Sequence, residues 1–361
     1  MAFAVGIENH TPFAAATHVQ LNADGQEVLV VMFSATFDAL DGAPALDICE
    51  DQMPVALWDI PFGDPANSSI RYEADIAPHK PAAEILINGS AHAPNGRPVA
   101  EMQVGFRVGG LQKVLNVVGD RIYGAGGYSA PAPFRTMPIV YERAYGGTLP
   151  DGRLDRRNPV GVGYHHASSA DPAVRTQAPN VTYPAEPYLS PSDRPKPAGF
   201  GPLGRGWTPR LPLAGTYDQG WIDTQWPLPP GDFDPRYNLC SPADQHLPAI
   251  HGGETVTIIG MVPNGRWDFR LPRVVAPVRL IYDDRVEERP IAADTVIVEP
   301  ELWRVTLKAR FSHVTKRNTP ALREIVFGHV TPAFLVARRK RKTYLSPRGG
   351  DGTLDRAVWQ P

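Results

Sequence analysis

The chain has 361 residues, enough to bury about three-quarters of the surface its unfolded form exposes, with no need of a disulfide or metal staple. Hydrophobic residues make up 42% and charged residues 20%, which excludes a disordered chain, and a net charge of −2 excludes a global pull toward nucleic acid or anionic lipid. With 39 prolines and 33 glycines, about a fifth of the chain, helices are expected to be few and loops long.

The opening residues 1–8 lack a basic region followed by a long apolar run, so they do not read as a signal peptide. No stretch of ~20 apolar residues occurs, so no membrane span is expected. Cys49 and Cys240 stand far apart, which suits a reducing compartment, and the expected location is the cytoplasm. Residues 28–33 form a continuous apolar, β-branched run that predicts a strand buried on both faces, ending near Thr36-Phe37. Across 101–108, Met102, Val104, Phe106 and Val108 alternate with Glu101, Gln103 and Arg107. Gly109-Gly110 then predicts a hairpin into 111–118, because glycine tolerates the positive φ of a tight turn.

The texture changes over residues 131–244. Prolines crowd together, as in Pro227-Leu228-Pro229-Pro230, and aromatics run through them. A disordered linker is poor in Trp and Tyr, so this stretch predicts an ordered, irregular layer whose aromatics pack onto a sheet. Strands resume after Leu247. Residues 255–261 and 266–271 flank Pro263-Asn264-Gly265 as a hairpin, with Trp267, Phe269 and Leu271 on one face. Residues 295–298 and 304–311 pair around Glu299-Pro300-Glu301. Helix starts are expected at Thr319-Pro320 and Thr331-Pro332, each a capping threonine before a proline. The run Arg338-Arg339-Lys340-Arg341-Lys342 reads as a solvated helix end or edge strand, and the tail from Ser346 as mobile.

The fold class expected is therefore mainly β: two sandwich-like halves, 1–125 and 245–345, joined by a proline- and glycine-rich irregular layer, 126–244, with a mobile tail, 346–361.

Catalytic signatures are missing. There is no His-Glu-x-x-His, Cys-x-x-Cys or Walker loop, and Gly127-Tyr128-Ser129-Ala130-Pro131 fails the nucleophile elbow at its last position. Gly161-Val162-Gly163 lacks the third glycine and the helix of a dinucleotide loop. His165-His166 are adjacent and would face opposite ways in a strand, so one metal is not expected to take both. Asp232-Phe233-Asp234 sets two carboxylates on one strand face, a possible cation site with Asp223 or Asp244, although Asp234-Pro235 equally suits a turn cap. No cofactor and no metal are expected.

Many phrases, in order, resemble the bacterial domain-of-unknown-function family 2169, found beside type VI secretion effectors. They include Asn9-His10-Thr11-Pro12-Phe13, Asp75-Ile76-Ala77-Pro78-His79-Lys80-Pro81, Asn88-Gly89-Ser90-Ala91-His92 and Gly119-Asp120-Arg121. Tyr141-Glu142-Arg143-Ala144-Tyr145-Gly146-Gly147, Asn158-Pro159-Val160-Gly161, Gly215-Thr216-Tyr217-Asp218, Asp232-Phe233-Asp234-Pro235 and Asp244-Gln245 complete the series. One departure is Met32-Phe33-Ser34-Ala35 before Thr36-Phe37, where the family carries a lysine-glycine pair. The resemblance implies an adaptor or chaperone that loads a secreted toxin onto a spike protein, with no catalytic residues to carry over.

Tyr, Trp and Arg are the residues enriched at interface hot spots. On that ground Tyr141, Glu142, Arg143, Trp207, Tyr217 and Asp218 are the candidate partner-binding residues, although most of the layer's aromatics are expected in the core. Glu142 and Arg143 equally suit a structural pair. The expected partners are proteins, an effector and a spike, with neither nucleic acid nor membrane. Two rival classes stay open: a hydrolase or effector-modifying enzyme using Asp223, Asp232, Asp234 and His246, and a structural or carbohydrate-binding β module with an aromatic groove.

Overall fold

The computed structural model describes residues 5–124, 127–164, 177–315, 321–346, 350–354 and 356–360. Three sheets carry the fold. The largest has the order His246–Leu247, Ala83–Ile87, Ala293–Glu299, Arg304–Val314, Glu27–Asp38 and Ala14–Leu21, with Asp47–Ile48 beside the end of Glu27–Asp38. Ala83–Ile87 and Ala293–Glu299 run parallel, and the other neighbours antiparallel. A second sheet orders Val181–Thr182, Leu111–Val118, Glu101–Val108, Thr255–Ile259 and Arg266–Arg270. The third joins Gly6–Asn9, Leu322–Phe327, Val278–Tyr282 and Val286–Arg289.

The sheets share one core. Phe33, Phe37 and Leu307 of the first meet Phe106, Leu115 and Trp267 of the second and Leu280 and Phe327 of the third. The run at 28–33 is apolar throughout because both faces of Glu27–Asp38 are covered. Leu29, Val31, Phe33 and Phe37 enter that core, whereas Val28, Val30 and Met32 face Val55 and Ile76 on the other side. The departure at 32–35 thus lies inside this strand.

The mainly β fold read from the sequence is the one the chain has, but its sheets do not divide at residues 125 and 245. Each of the three takes strands from both flanks, so the two expected halves interlock around a single core. The physical reason is that apolar faces are satisfied by any complementary strand, near or far in sequence.

Both expected hairpins form. Leu111 pairs Val108, and Arg266 pairs Ile259 across a loop longer than the Asn-Gly turn alone, with the turn glycines Gly109 and Gly265 at φ of 55° and 82°. Glu299 pairs Arg304 as expected. Thr331 caps the helix Pro332–Arg339 by accepting from the Phe334 amide at 3.2 Å. The basic run is the end of that helix. Arg338 pairs with Glu8, and Arg341 with Asp283 at 2.9 Å. The Thr319-Pro320 start lies outside the described residues. The tail is docked where it is described, which corrects the mobile reading. Trp359–Gln360 pairs with Arg273–Val274, and the Trp359 ring meets Phe37 at 5.2 Å. Among the described residues no helix is long and apolar enough to cross a membrane.

Candidate functional site

Buried polar side chains hold the irregular middle layer to the sheets. Glu84, fully buried in Ala83–Ile87, accepts from the amides of Cys240 and Ser241 at 2.8 Å each and from the Lys80 ammonium. Burial by itself pushes this carboxyl up, but the Lys80 charge and the bonds outweigh it and hold Glu84 down at about 2. Lys113 donates to the Gly199 carbonyl at 2.8 Å, Asp244 Oδ1 at 2.9 Å and Gln245 Oε1 at 2.8 Å. Burial, partly offset by Asp244, pushes its ammonium down to about 8. Gln245 donates onward to the carbonyls of Ile85 and Phe200, and the buried Asn158 amide donates to those of Tyr141 and Tyr145. Asp75 takes the Lys308 ammonium at 2.6 Å. Asp75, Lys80, Asn158, Asp244 and Gln245 all belong to the phrases that carry the family resemblance. They are scaffold: Asn158 and Gln245 satisfy backbone carbonyls that a loop-rich layer cannot pair in ladders, and Asp75, Lys80 and Asp244 answer the buried charges of Lys308, Glu84 and Lys113.

The candidate partner-binding residues divide. Tyr141 and Trp207 are interior, meeting edge to face at 5.4 Å beside Ala144 and Leu203, which corrects their reading as partner contacts. Glu142 and Arg143 do not pair with each other. Glu142 accepts from the Ser69 amide at 2.6 Å and hydroxyl at 2.7 Å, and Arg143 donates to Asp120 at 3.2 Å and Asn180 at 3.0 Å. Both therefore pin neighbouring segments. Tyr217 and Asp218 lie at the surface.

These two belong to an exposed loop with closed ends. Asp218 accepts from the Trp221 amide at 2.9 Å, capping the helix Gln219–Thr224, which the proline-rich reading did not anticipate. Trp221 donates from its indole to the Leu228 carbonyl at 3.0 Å and meets Tyr217 edge to face at 4.8 Å. At the base, the Thr216 amide and hydroxyl donate to Asp232 at 2.9 and 2.7 Å, and the Asp234 amide donates to the Leu213 carbonyl at 3.0 Å. These ties make it a compact Ω-loop. Its outer side presents Tyr217, Ile222 and Trp226 at 59, 53 and 66% exposure. Ile222 and Trp226 escaped the sequence reading. The available signal was the Asp218 cap three residues before Trp221, closed by Pro227-Leu228-Pro229-Pro230. A second exposed apolar run, Leu57, Trp58, Ile60 and Phe62, was also missed.

The hydrolase alternative needs Asp223, Asp232, Asp234 and His246 in one cleft. Each instead has a local partner: Gln219 for Asp223, Thr216 for Asp232, Arg236 for Asp234 and the Ser241 carbonyl for His246. Asp232-Phe233-Asp234 is a turn, and Asp234 caps the 3-10 turn Pro235–Asn238, which corrects the strand-face reading. Among the described residues no three His, Cys, Asp or Glu side chains are placed to hold a metal ion. The His165-His166 pair lies outside the described residues. A cleft of about 370 Å³, lined by Tyr183, Leu203, Pro209, Pro242 and Asp244, takes none of the four hydrolase candidates.

Fold and surface together define a mainly β scaffold carrying an ordered, loop-rich layer with an exposed aromatic Ω-loop. The chain belongs to the bacterial family described as "Uncharacterized protein conserved in bacteria" (DUF2169), which matches residues 24–310. No curated protein and no solved structure matches it.

Proposed function

We propose that this chain is a non-enzymatic adaptor that binds a type VI secretion effector in the bacterial cytoplasm and helps load it onto the spike protein. The observation that carries the reading is the Ω-loop, in which internal hydrogen bonds hold three exposed apolar side chains in place. Such preorganisation lowers the entropy lost on binding, and large rings supply contact area at little rotamer cost. The resemblance in motif order gives the reading its biological setting. The carboxylates of the hydrolase alternative, each occupied by a local partner, favour it over chemistry on the effector.

The test is binding of the purified chain to the effector and spike encoded beside its gene, measured by biolayer interferometry. Ile222→Ala and Trp226→Ala should each cost about 1–2 kcal/mol, roughly a five- to thirtyfold loss, with the melting midpoint unchanged. A wild-type chain that binds neither protein would sink the reading.

A further inference from the structure

The charge around the Ω-loop says what sort of segment it takes. Residues 215–237 hold four carboxylates, Asp218, Asp223, Asp232 and Asp234, against one cation, Arg236. Arg236 is consumed by Asp234 at 2.9 and 2.5 Å. The other three acids accept from neutral groups: the Trp221 amide, the Gln219 side-chain amide, and the Thr216 amide and hydroxyl. Among the described residues none of the three is ion-paired with Lys or Arg. All three are exposed: Asp218 and Asp223 adjoin Tyr217 and Ile222 in sequence and Asp232 lies at the loop's base, so the loop that carries Tyr217, Ile222 and Trp226 carries three uncompensated negative charges.

That combination narrows the occupant. An exposed Trp, Tyr and Ile could enter a membrane interface, but loops and helices that do so carry Lys and Arg to meet anionic lipid, and this one carries the opposite sign. Nucleic acid is repelled for the same reason. Two copies of the loop repel each other. What remains is a polypeptide whose Lys or Arg residues meet the acids while its apolar residues cover the rings, and a cation over the exposed face of Trp226 adds to the attraction. We infer that the Ω-loop is a docking site for a cationic, apolar-anchored segment of the partner protein. The inference deepens the adaptor reading and rests on it.

The probe is a synthetic amphipathic Leu/Lys peptide of about 18 residues, with a Leu/Glu peptide of the same pattern as control. Fluorescence anisotropy with the full chain should show saturable binding of the Leu/Lys peptide and none of the Leu/Glu peptide. Ile222→Ser with Trp226→Ser should weaken binding at least about tenfold, and so should Asp218→Asn with Asp223→Asn. The asparagines keep the helix cap and the Gln219 bond, so the second pair reports charge with the fold intact. Affinity should fall between 0.1 and 1 M salt, where the screening length shrinks from about 10 to 3 Å. Equal binding of the two peptides, or wild-type affinity in both double variants, overturns the inference. So does binding to phosphatidylglycerol vesicles that the Ile222→Ser/Trp226→Ser pair abolishes. A dimer in light scattering that the same pair dissolves also overturns it, by making the occupant a second copy. A chain that captures effector and spike but fails the peptide test loses only the charge inference. One that passes the peptide test and captures neither protein loses the adaptor reading.

Discussion

Replacing Glu84 by glutamine removes the charge on which the seam between middle layer and largest sheet depends. Glu84 is fully buried, and it answers the Lys80 ammonium, itself almost without exposure, and two backbone amides. Glutamine keeps the shape and can accept from one of those amides, but Lys80 loses its counter-ion. Breaking a buried pair from one side typically costs about 3–5 kcal/mol. An independent route gives a similar size. Glu84 is held at about 2 against an ordinary 4.5, and that gap is worth about 3 kcal/mol at 1.36 kcal/mol per unit. Because the folded value is the lower one, the stabilisation is complete above pH 4.5 and drains away as pH falls toward 2. About 2 kcal/mol of it should be gone by pH 3. Urea denaturation of wild type and Glu84→Gln between pH 7 and 3 measures both quantities. The difference should be about 3 kcal/mol at pH 7 and should narrow steadily below pH 4.5. A gap under about 1 kcal/mol, or one that stays constant with pH, refutes the assignment of Glu84 as the ionised centre of the seam.

Three other outcomes are expected. Gly265→Val should lower stability by about 1–3 kcal/mol, since a β-branched residue resists a φ of 82° although the space around it is open, and an unchanged melting midpoint would remove the turn's claim on glycine. Asn158→Leu should cost about 1–3 kcal/mol by orphaning the Tyr145 carbonyl and leaving that of Tyr141 with the Ala144 amide alone, and limited proteolysis should then cut the middle layer first; equal protection would show that these bonds are dispensable. Lys113 releases its proton at about 8 when folded and at its ordinary 10.5 when unfolded, so the unfolded state binds more protons in between and this residue makes stability rise with pH there. Burial raises the thiols of Cys49 and Cys240 and pulls the other way, so the test is the difference between wild type and Lys113→Met, which should change between pH 8 and 10 and stay flat if Lys113 is not the cause.

The strands were legible because a strand's face is set locally. The alternation of Met102, Val104, Phe106 and Val108, and of Trp267, Phe269 and Leu271, needs only period-two sterics and a glycine at the turn. Thr331-Pro332 marks a helix start by the same local logic. The site was half legible: composition pointed to the proline-rich layer and to Tyr217, but Trp207 and Trp226 look alike in sequence. One is buried because Tyr141 and Leu203 close over it, and the other stands on a loop whose ends are tied together.

What the residues determined alone is the β segments with clear alternation or a glycine turn, the scarcity of helices and the order within an irregular layer rich in aromatics, whereas the four strands of the third sheet were not read individually. Only the tertiary structure decided how the strands from the two flanks interlock and which carboxylates are scaffold. Ala83–Ile87 lies parallel to Ala293–Glu299, and the Glu84 carboxylate finds its amide partner at Cys240, 156 positions away. Periodicity reports which face of a segment is apolar. It carries no information about which distant segment covers that face, because hydrophobic burial is non-directional and any complementary surface satisfies it.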